Sequence, residues 1–186
     1  FDQDLSVEFR AGGRGPGLDA GEVTLDGRPM RREVNAKGAV SYKLGRDEPE
    51  GGLRAGGNAW SSLAIGGGAA VPASNIRVKL APFPLVTQPT PGSSVLRTED
   101  LNVIMLPPVP DVWYRVSLTG PGDPVTASDL GEGRWVFPRG ALEALGIGRA
   151  RLLVEIEASC GDCTSGGPMR VIVSSRSEME IALTLL

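Results

Sequence analysis

Glu178-Met179-Glu180-Ile181-Ala182-Leu183-Thr184-Leu185 is the stretch that decides the fold. Met179, Ile181, Leu183 and Leu185 share one parity, and Glu178, Glu180, Ala182 and Thr184 the other. A period of two puts one set in a core and the other in water, as in a half-buried antiparallel strand. Working outward, the same alternation recurs in Leu5-Val7-Phe9, Val40-Tyr42-Leu44 and Ile76-Val78-Leu80. It returns in Leu101-Val103-Met105, Val112-Tyr114-Val116-Leu118 and Leu152-Val154-Ile156. Only Arg139–Leu145, behind Pro138, reads as a helical turn or two. The fold class is all-β.

Composition supports this and excludes several functions. The 186 residues are 41% hydrophobic and 22% charged, a core-forming balance. The 26 Gly and 15 Pro together make up about 22% of the chain against roughly 12% on average, so long helices are not expected. The chain contains no histidine, which removes Ser-His-Asp and Cys-His catalysis and imidazole metal ligands. A net charge of −3 lacks the basic excess of a nucleic-acid binder. No apolar run approaches the 18 or more residues of a membrane span, so no transmembrane segment is expected. All basic residues but Lys37, Lys43 and Lys79 are arginine, and with the Ala/Gly/Pro richness this suggests a high-GC bacterial source. The chain opens at Phe1, which implies removal of a secretion signal, a lipoprotein leader or a trimmed segment.

Turn chemistry divides the chain further. Asp26-Gly27, between Val23-Thr24-Leu25 and Arg28-Pro29-Met30, signals a two-residue hairpin whose returning strand Pro29 weakens. Gly12–Gly17, Gly51–Gly57 and Gly66–Gly68 read as flexible connections. The four prolines from Ala81 to Gly92 read as a stiff, extended linker, because proline cannot donate to a ladder. The expected architecture is therefore two small antiparallel β-sandwich domains, 1–84 and 85–186, joined by that linker.

The second half resembles bacterial modules of the immunoglobulin/fibronectin-III type. Gln88-Pro89-Thr90-Pro91-Gly92-Ser93 is similar to their "P-x-x-G" entry, and Asp111–Leu118 resembles their central "Y-x-V-x-L" strand. Trp135–Leu142 followed by Ala150–Ile156 is similar to their "I-P-x-x-x-L … V-x-V-x-A" stretch. Gly21–Gly27 resembles the small β-domain that often precedes such modules in envelope proteins. The resemblance implies an Ig-like fold and an extracytoplasmic setting, and it implies no active site. Cys160 and Cys163 lie too close in sequence for the usual inter-sheet disulfide of antibody domains.

Candidate chemistry is sparse. Cys160-Gly161-Asp162-Cys163 lacks the following helix of a redox motif and the further ligands of a zinc site, so a short-range disulfide is expected. Such a bridge implies an oxidising compartment. Glu155 and Glu157 stand two residues apart on one strand face, at a glycosidase-like spacing of roughly 7 Å. Arg149 and Arg151 share that face, so a solvated, self-neutralising surface is expected there, and likewise at Glu178 and Glu180. Asp2-Gln3-Asp4 and Asp47-Glu48-Pro49-Glu50 lack calcium-loop spacing. The interaction candidates are Trp60, Trp113, Trp135, the out-of-phase Leu153, and a basic patch of Arg28, Arg31 and Arg32 with Arg10 or Arg14 nearby. Trp113 and Tyr114 have opposite phase, so only one of them faces the core. Met105–Pro110 adds apolar surface.

The expectation is a non-enzymatic protein without metal or cofactor, working as a structural or interaction subunit docked on a larger bacterial envelope or membrane-associated complex. A periplasmic or cell-envelope location follows, with attachment through protein partners or through a lipid anchor upstream of Phe1. The alternative is a ligand-binding module for polysaccharide or another envelope component.

Overall fold

Every one of those alternating stretches is a strand in the computed structural model, which describes residues 2–11, 15–44, 60–106, 112–160 and 169–186. The chain divides into an N-terminal unit, Asp2–Pro82 with Glu157–Arg176, and a C-terminal unit, Phe83–Ile156 with Ser177–Leu186. The division therefore does not follow a single cut near residue 84. Two long late strands change unit partway along their length, which a sequence cut cannot express.

The N-terminal unit holds β1 (Asp2–Ala11), β2 (Val23–Leu25), β3 (Arg28–Pro29), β4 (Arg31–Val34), β5 (Val40–Leu44), β6 (Trp60–Ile65) and β7 (Ser74–Lys79). One sheet carries β1-β5-β4 in that order and the other β3-β2-β6-β7. Their buried faces form one cluster, in which Leu5, Val7 and Phe9 of β1 join Val40, Tyr42 and Leu44 of β5, Leu25 of β2 and Leu63 of β6. The β2–β3 hairpin turns at Asp26 and Gly27, with φ of 48° and 80°. Positive φ at both central positions is the two-residue turn whose twist matches flanking strands. Its returning strand is only two residues long and ends at Pro29.

The C-terminal unit holds β8 (Val86–Gln88), β9 (Ser94–Val95), β10 (Leu101–Met105), β11 (Trp113–Thr119), β12 (Val125–Thr126), β13 (Ser128–Gly131), β14 (Arg134–Phe137) and α1 (Arg139–Leu145). It shares β15 (Gly148–Cys160) and β16 (Met169–Leu185) with the other unit. One sheet runs β13-β14-β10-β8 and the second runs β12-β11-β15-β16. Short β9 lies parallel to the end of β16, with Ser94 opposite Thr184 and Val95 opposite Leu185. The core gathers Leu101, Val103, Val116, Leu118, Phe137, Leu152, Val154, Ile181, Leu183 and Leu185. The seven-residue helix adds Leu142 and Leu145 to it. The Arg139 N–H, unsatisfied within the helix, donates to Asp100 Oδ1 at 2.9 Å.

Two expectations about connections are corrected. The proline-rich stretch is not a bare spacer. Ala81 is buried and its N–H donates to Ser175 Oγ at 3.0 Å, while Val86–Gln88 pairs with β10. Nor is Gly66–Gly68 a slack tether. A Cβ on Gly68 would strike the Asp19 carbonyl oxygen, and the Gly66 N–H donates to Glu22 O at 2.7 Å. These glycines are there because two backbones approach closely.

Candidate interaction surface

An indole at the start of a strand is buried or exposed according to its parity, and the three tryptophans divide on that rule. On β11, Tyr114, Val116 and Leu118 face inward, which turns Trp113 outward at 55% exposure. Arg115 shares its face two residues on and places its guanidinium 5.2 Å from the Trp113 ring centroid. On β6, Ser61, Leu63 and Ile65 are buried and Trp60 stands out at 56% exposure. Arg77, from the neighbouring β7, lies 5.6 Å from the Trp60 centroid. Each unit thus presents one exposed indole beside one guanidinium. A cation over an indole face is attracted by the ring's quadrupole, about 0.5–1 kcal/mol at an exposed site.

Trp135 is a correction. It sits in phase with Phe137 on β14, is only 4% exposed, and packs on Tyr114 with ring centroids 5.2 Å apart. It belongs to the C-terminal core and is removed from the interaction surface. Leu153 is half-buried, so it supplies little free apolar area.

The basic patch is corrected too, since its charges are neutralised locally. Arg31 Nη2 pairs with Glu33 Oε1 at 3.0 Å, and Lys43 Nζ, directly opposite Arg31 across the strands, pairs with Glu33 Oε2 at 2.6 Å. These two bonds, that of Lys43 first, hold the Glu33 carboxyl below its usual range. Arg32 Nη2 pairs with Asp19 Oδ2 at 2.7 Å. Arg28 is half-buried and also partnered. Arg10 pairs with Glu8, and Arg14 lies outside the described residues.

The Arg32 ion pair belongs to a network the sequence reading missed. Tyr42 is 1% exposed, and its hydroxyl donates to Asp19 Oδ1 at 2.9 Å while accepting the Ala20 N–H at 2.8 Å. The Gly21 N–H also donates to Asp19 Oδ1, at 3.1 Å. The Arg32 and Tyr42 bonds hold the Asp19 carboxyl at about 2, well below its ordinary value. Burial pushes the Tyr42 phenol up. Two signals pointed here: Asp-x-Gly favours a side-chain-capped turn, and a tyrosine on a core face needs a partner for its hydroxyl. Both Asp19 carboxylate oxygens accept hydrogen bonds, and those from Arg32 and Tyr42 fasten the loop to the sheet, so the network is structural.

The carboxylates on β15 divide. Glu155 is buried at 7% exposure, because β15 is covered on both faces from Val154 to Ile156, whereas a solvated face was expected. Glu157 is half-buried and accepts from Ser174 Oγ at 3.2 Å. Arg151 Nε pairs across strands with Glu180 Oε1 at 3.2 Å, in keeping with a self-neutralising exposed surface. Cys160 ends β15, but Cys163 lies outside the described residues, as do Asp47–Glu50, Gly51–Gly57 and most of Met105–Pro110. Among the described residues, no group of three metal-ligating side chains stands together, and no helix is long and apolar enough to cross a membrane. No protein-family model and no curated protein matches the chain.

Proposed function

We propose that the chain is a non-catalytic β-sandwich protein that works as an interaction subunit of a larger bacterial envelope or membrane-associated assembly. The observation that carries the reading is the pair of exposed tryptophans, one in each unit, each beside an arginine. Tryptophan and arginine are the side chains that most often anchor protein interfaces when a partner covers them. On the β4–β5 strands the charges are taken up in local pairs, Arg31 and Lys43 with Glu33 and Arg32 with Asp19. The C-terminal unit is read as an immunoglobulin-like module. Its sheet orders, β13-β14-β10-β8 against β12-β11-β15-β16, support that, matching the two-sheet strand arrangement of such sandwiches. A Cys160–Cys163 bridge, a periplasmic or cell-envelope location and attachment through protein partners belong to the same reading.

Native mass measurement of the protein drawn from gently solubilised source membranes tests it. Co-migration with a large complex, lost in a Trp60→Ala or Trp113→Ala variant that still folds, is the expected result. Migration at the mass of the protein's own monomer, or a small multiple of it, overturns the assembly reading.

A second reading has support in the same residues. An exposed indole beside a hydrogen-bonding cation also suits a sugar ring, so a module recognising an envelope polysaccharide is the alternative. A glycan array probed with wild type and with the same two variants separates the readings.

A further inference from the structure

Strand β7 closes one end of the β3-β2-β6-β7 sheet, and no described strand pairs along its other side. At six residues it is the longest strand that ends a sheet, β4 and β13 having four and β3, β8 and β12 fewer. All its positions pair with β6 without a register shift. The Asp26 N–H donates to Ser62 O and the Gly66 N–H to Glu22 O, so Ser62, Ala64 and Gly66 bond towards β2. Alternation turns Ser61, Leu63 and Ile65 towards β7, where they lie opposite Val78, Ile76 and Ser74. The N–H and C=O groups of Asn75 and Arg77 therefore point to the open edge. Charged side chains commonly blunt such an edge. Here both flanking side chains lean the other way, onto β6. Arg77 lies over the Trp60 ring, and Asn75 Oδ1 accepts from Ser62 Oγ at 2.7 Å. On the inward face Ile76 packs against the core yet is only half-buried, because the sheet stops beside it.

We infer that β7 is a dimer edge, completed by β7 of a second copy of this chain running antiparallel to it. The inference goes beyond the assembly reading, because neither exposed indole lies on this edge. Asn75 and Arg77 supply the outward main-chain groups, and directly opposed residues must share a face. A pairing centred on Arg77 would set two guanidinium groups against each other, which is unfavourable. One centred on Asn75 would run Arg77 past the start of β7 at Ser74. A pairing centred on Ile76 sets Asn75 of each copy opposite Arg77 of the other, and each such pair exchanges both of its N–H···O bonds. It also brings the two Ile76 side chains together at the closer cross-strand spacing, covering what each sheet leaves open. The two-fold axis stands perpendicular to the sheet, so the inward faces continue into each other. Such a contact is isologous and closes at two copies.

Analytical ultracentrifugation of the purified full chain tests this. A reversible monomer–dimer equilibrium is expected. Arg77→Pro removes one outward N–H at an edge position, where proline is tolerated, and should weaken the dimer about tenfold or more. Trp113→Ala should leave it unchanged. Mild oxidation of single cysteine variants reads the register separately. Ile76→Cys should give a covalent dimer, since residues opposed in a pair without hydrogen bonds meet the Cα separation of a disulfide. Ser74→Cys, displaced along the strand from its own symmetry mate, should not. Wild type oxidised in parallel accounts for Cys160 and Cys163. Unaltered melting curves of dilute protein show that the variants fold. Wild type that stays monomeric up to about 1 mM overturns the inference. Cross-linking through Ser74→Cys but not Ile76→Cys overturns the register and with it the contact. Monomeric protein whose co-migration with a large complex is lost in Arg77→Pro gives the edge to a strand of another protein and overturns the second copy.

Discussion

The two units solve one problem, how to fasten a loop over an open sandwich, by opposite means. In the N-terminal unit the Asp19–Gly21 loop is fastened by polar bonds, with the Tyr42 hydroxyl serving as donor and acceptor at once. In the C-terminal unit a short helix plugs the sandwich with Leu142 and Leu145, and Tyr114 on Trp135 adds an aromatic pair. A polar fastening fixes geometry but contributes modestly to net stability, because water competes for each hydrogen bond in the unfolded chain. An apolar plug contributes roughly in proportion to its buried area and tolerates small shifts. The difference teaches that the first unit holds its loop by direction and the second by volume.

The largest expected effect follows from the volume side. Phe137 is fully buried beside that plug, so Phe137→Ala should cost about 3–5 kcal/mol through lost transfer energy and a residual cavity. Denaturant unfolding followed by tryptophan emission reads this, since Trp135 reports on the same core. Next comes the directional side. Tyr42→Phe keeps the ring in place against Phe9, whose centroid is 5.7 Å away. It strands the buried Ala20 N–H, for about 1–3 kcal/mol. Should Tyr42→Phe prove as damaging as Phe137→Ala, the contrast between fastening by direction and by volume fails.

The same contrast explains what could be read from the sequence. Strand parity is written in apolar spacing, so the β1, β5, β10 and β16 faces and the Arg139–Leu145 helix are legible in the sequence. The Trp113/Tyr114 choice was narrowed to two faces by phase, and packing against Trp135 settled it. What was not legible depends on residues distant in sequence. Asp19 and Tyr42 are 23 positions apart, and no local pattern ties them. Gly66–Gly68 looks like a tether until the Asp19 backbone is placed beside it. Trp135 is an interaction candidate by residue type, yet its parity with Phe137 marks it as core. The transfer of β15 and β16 between units coincides with buried polar residues, Glu155 on β15 and Ser175 and Ser177 on β16, which interrupt the apolar alternation without naming a boundary.

A smaller effect comes from titrating the polar fastening. Asp19 has a carboxyl lowered to about 2 in the folded chain, against about 3.9 when unfolded. A depressed carboxyl stabilises the fold fully above the unfolded value and loses that contribution as pH falls towards the folded one. Melting temperature should therefore drop between about pH 4 and pH 2 more steeply in wild type than in Asp19→Asn, which cannot ionise. Because Asp19 and Arg32 are exposed, salt should blunt the difference. Parallel wild-type and Asp19→Asn profiles would show that Asp19 is no part of the pH response.

The smallest stability effect is expected where the functional effect is greatest. Trp60 and Trp113 are more than half exposed, and each loses only its arginine contact and some packing on truncation. Trp60→Ala and Trp113→Ala should each shift stability by no more than about 0.5–1 kcal/mol, below Tyr42→Phe. Trp135→Ala, buried on Tyr114, should instead fall in the range of Phe137→Ala, about 3–5 kcal/mol. This ordering separates indoles that hold the fold from indoles the fold holds out. A large destabilisation on losing Trp60 or Trp113 would mean that the indole is bound into its own unit, leaving it no surface to offer. If instead stability is kept and association or sugar binding is lost, the exposed indoles are there for a partner, since a solvent-facing tryptophan contributes little to its own sheet.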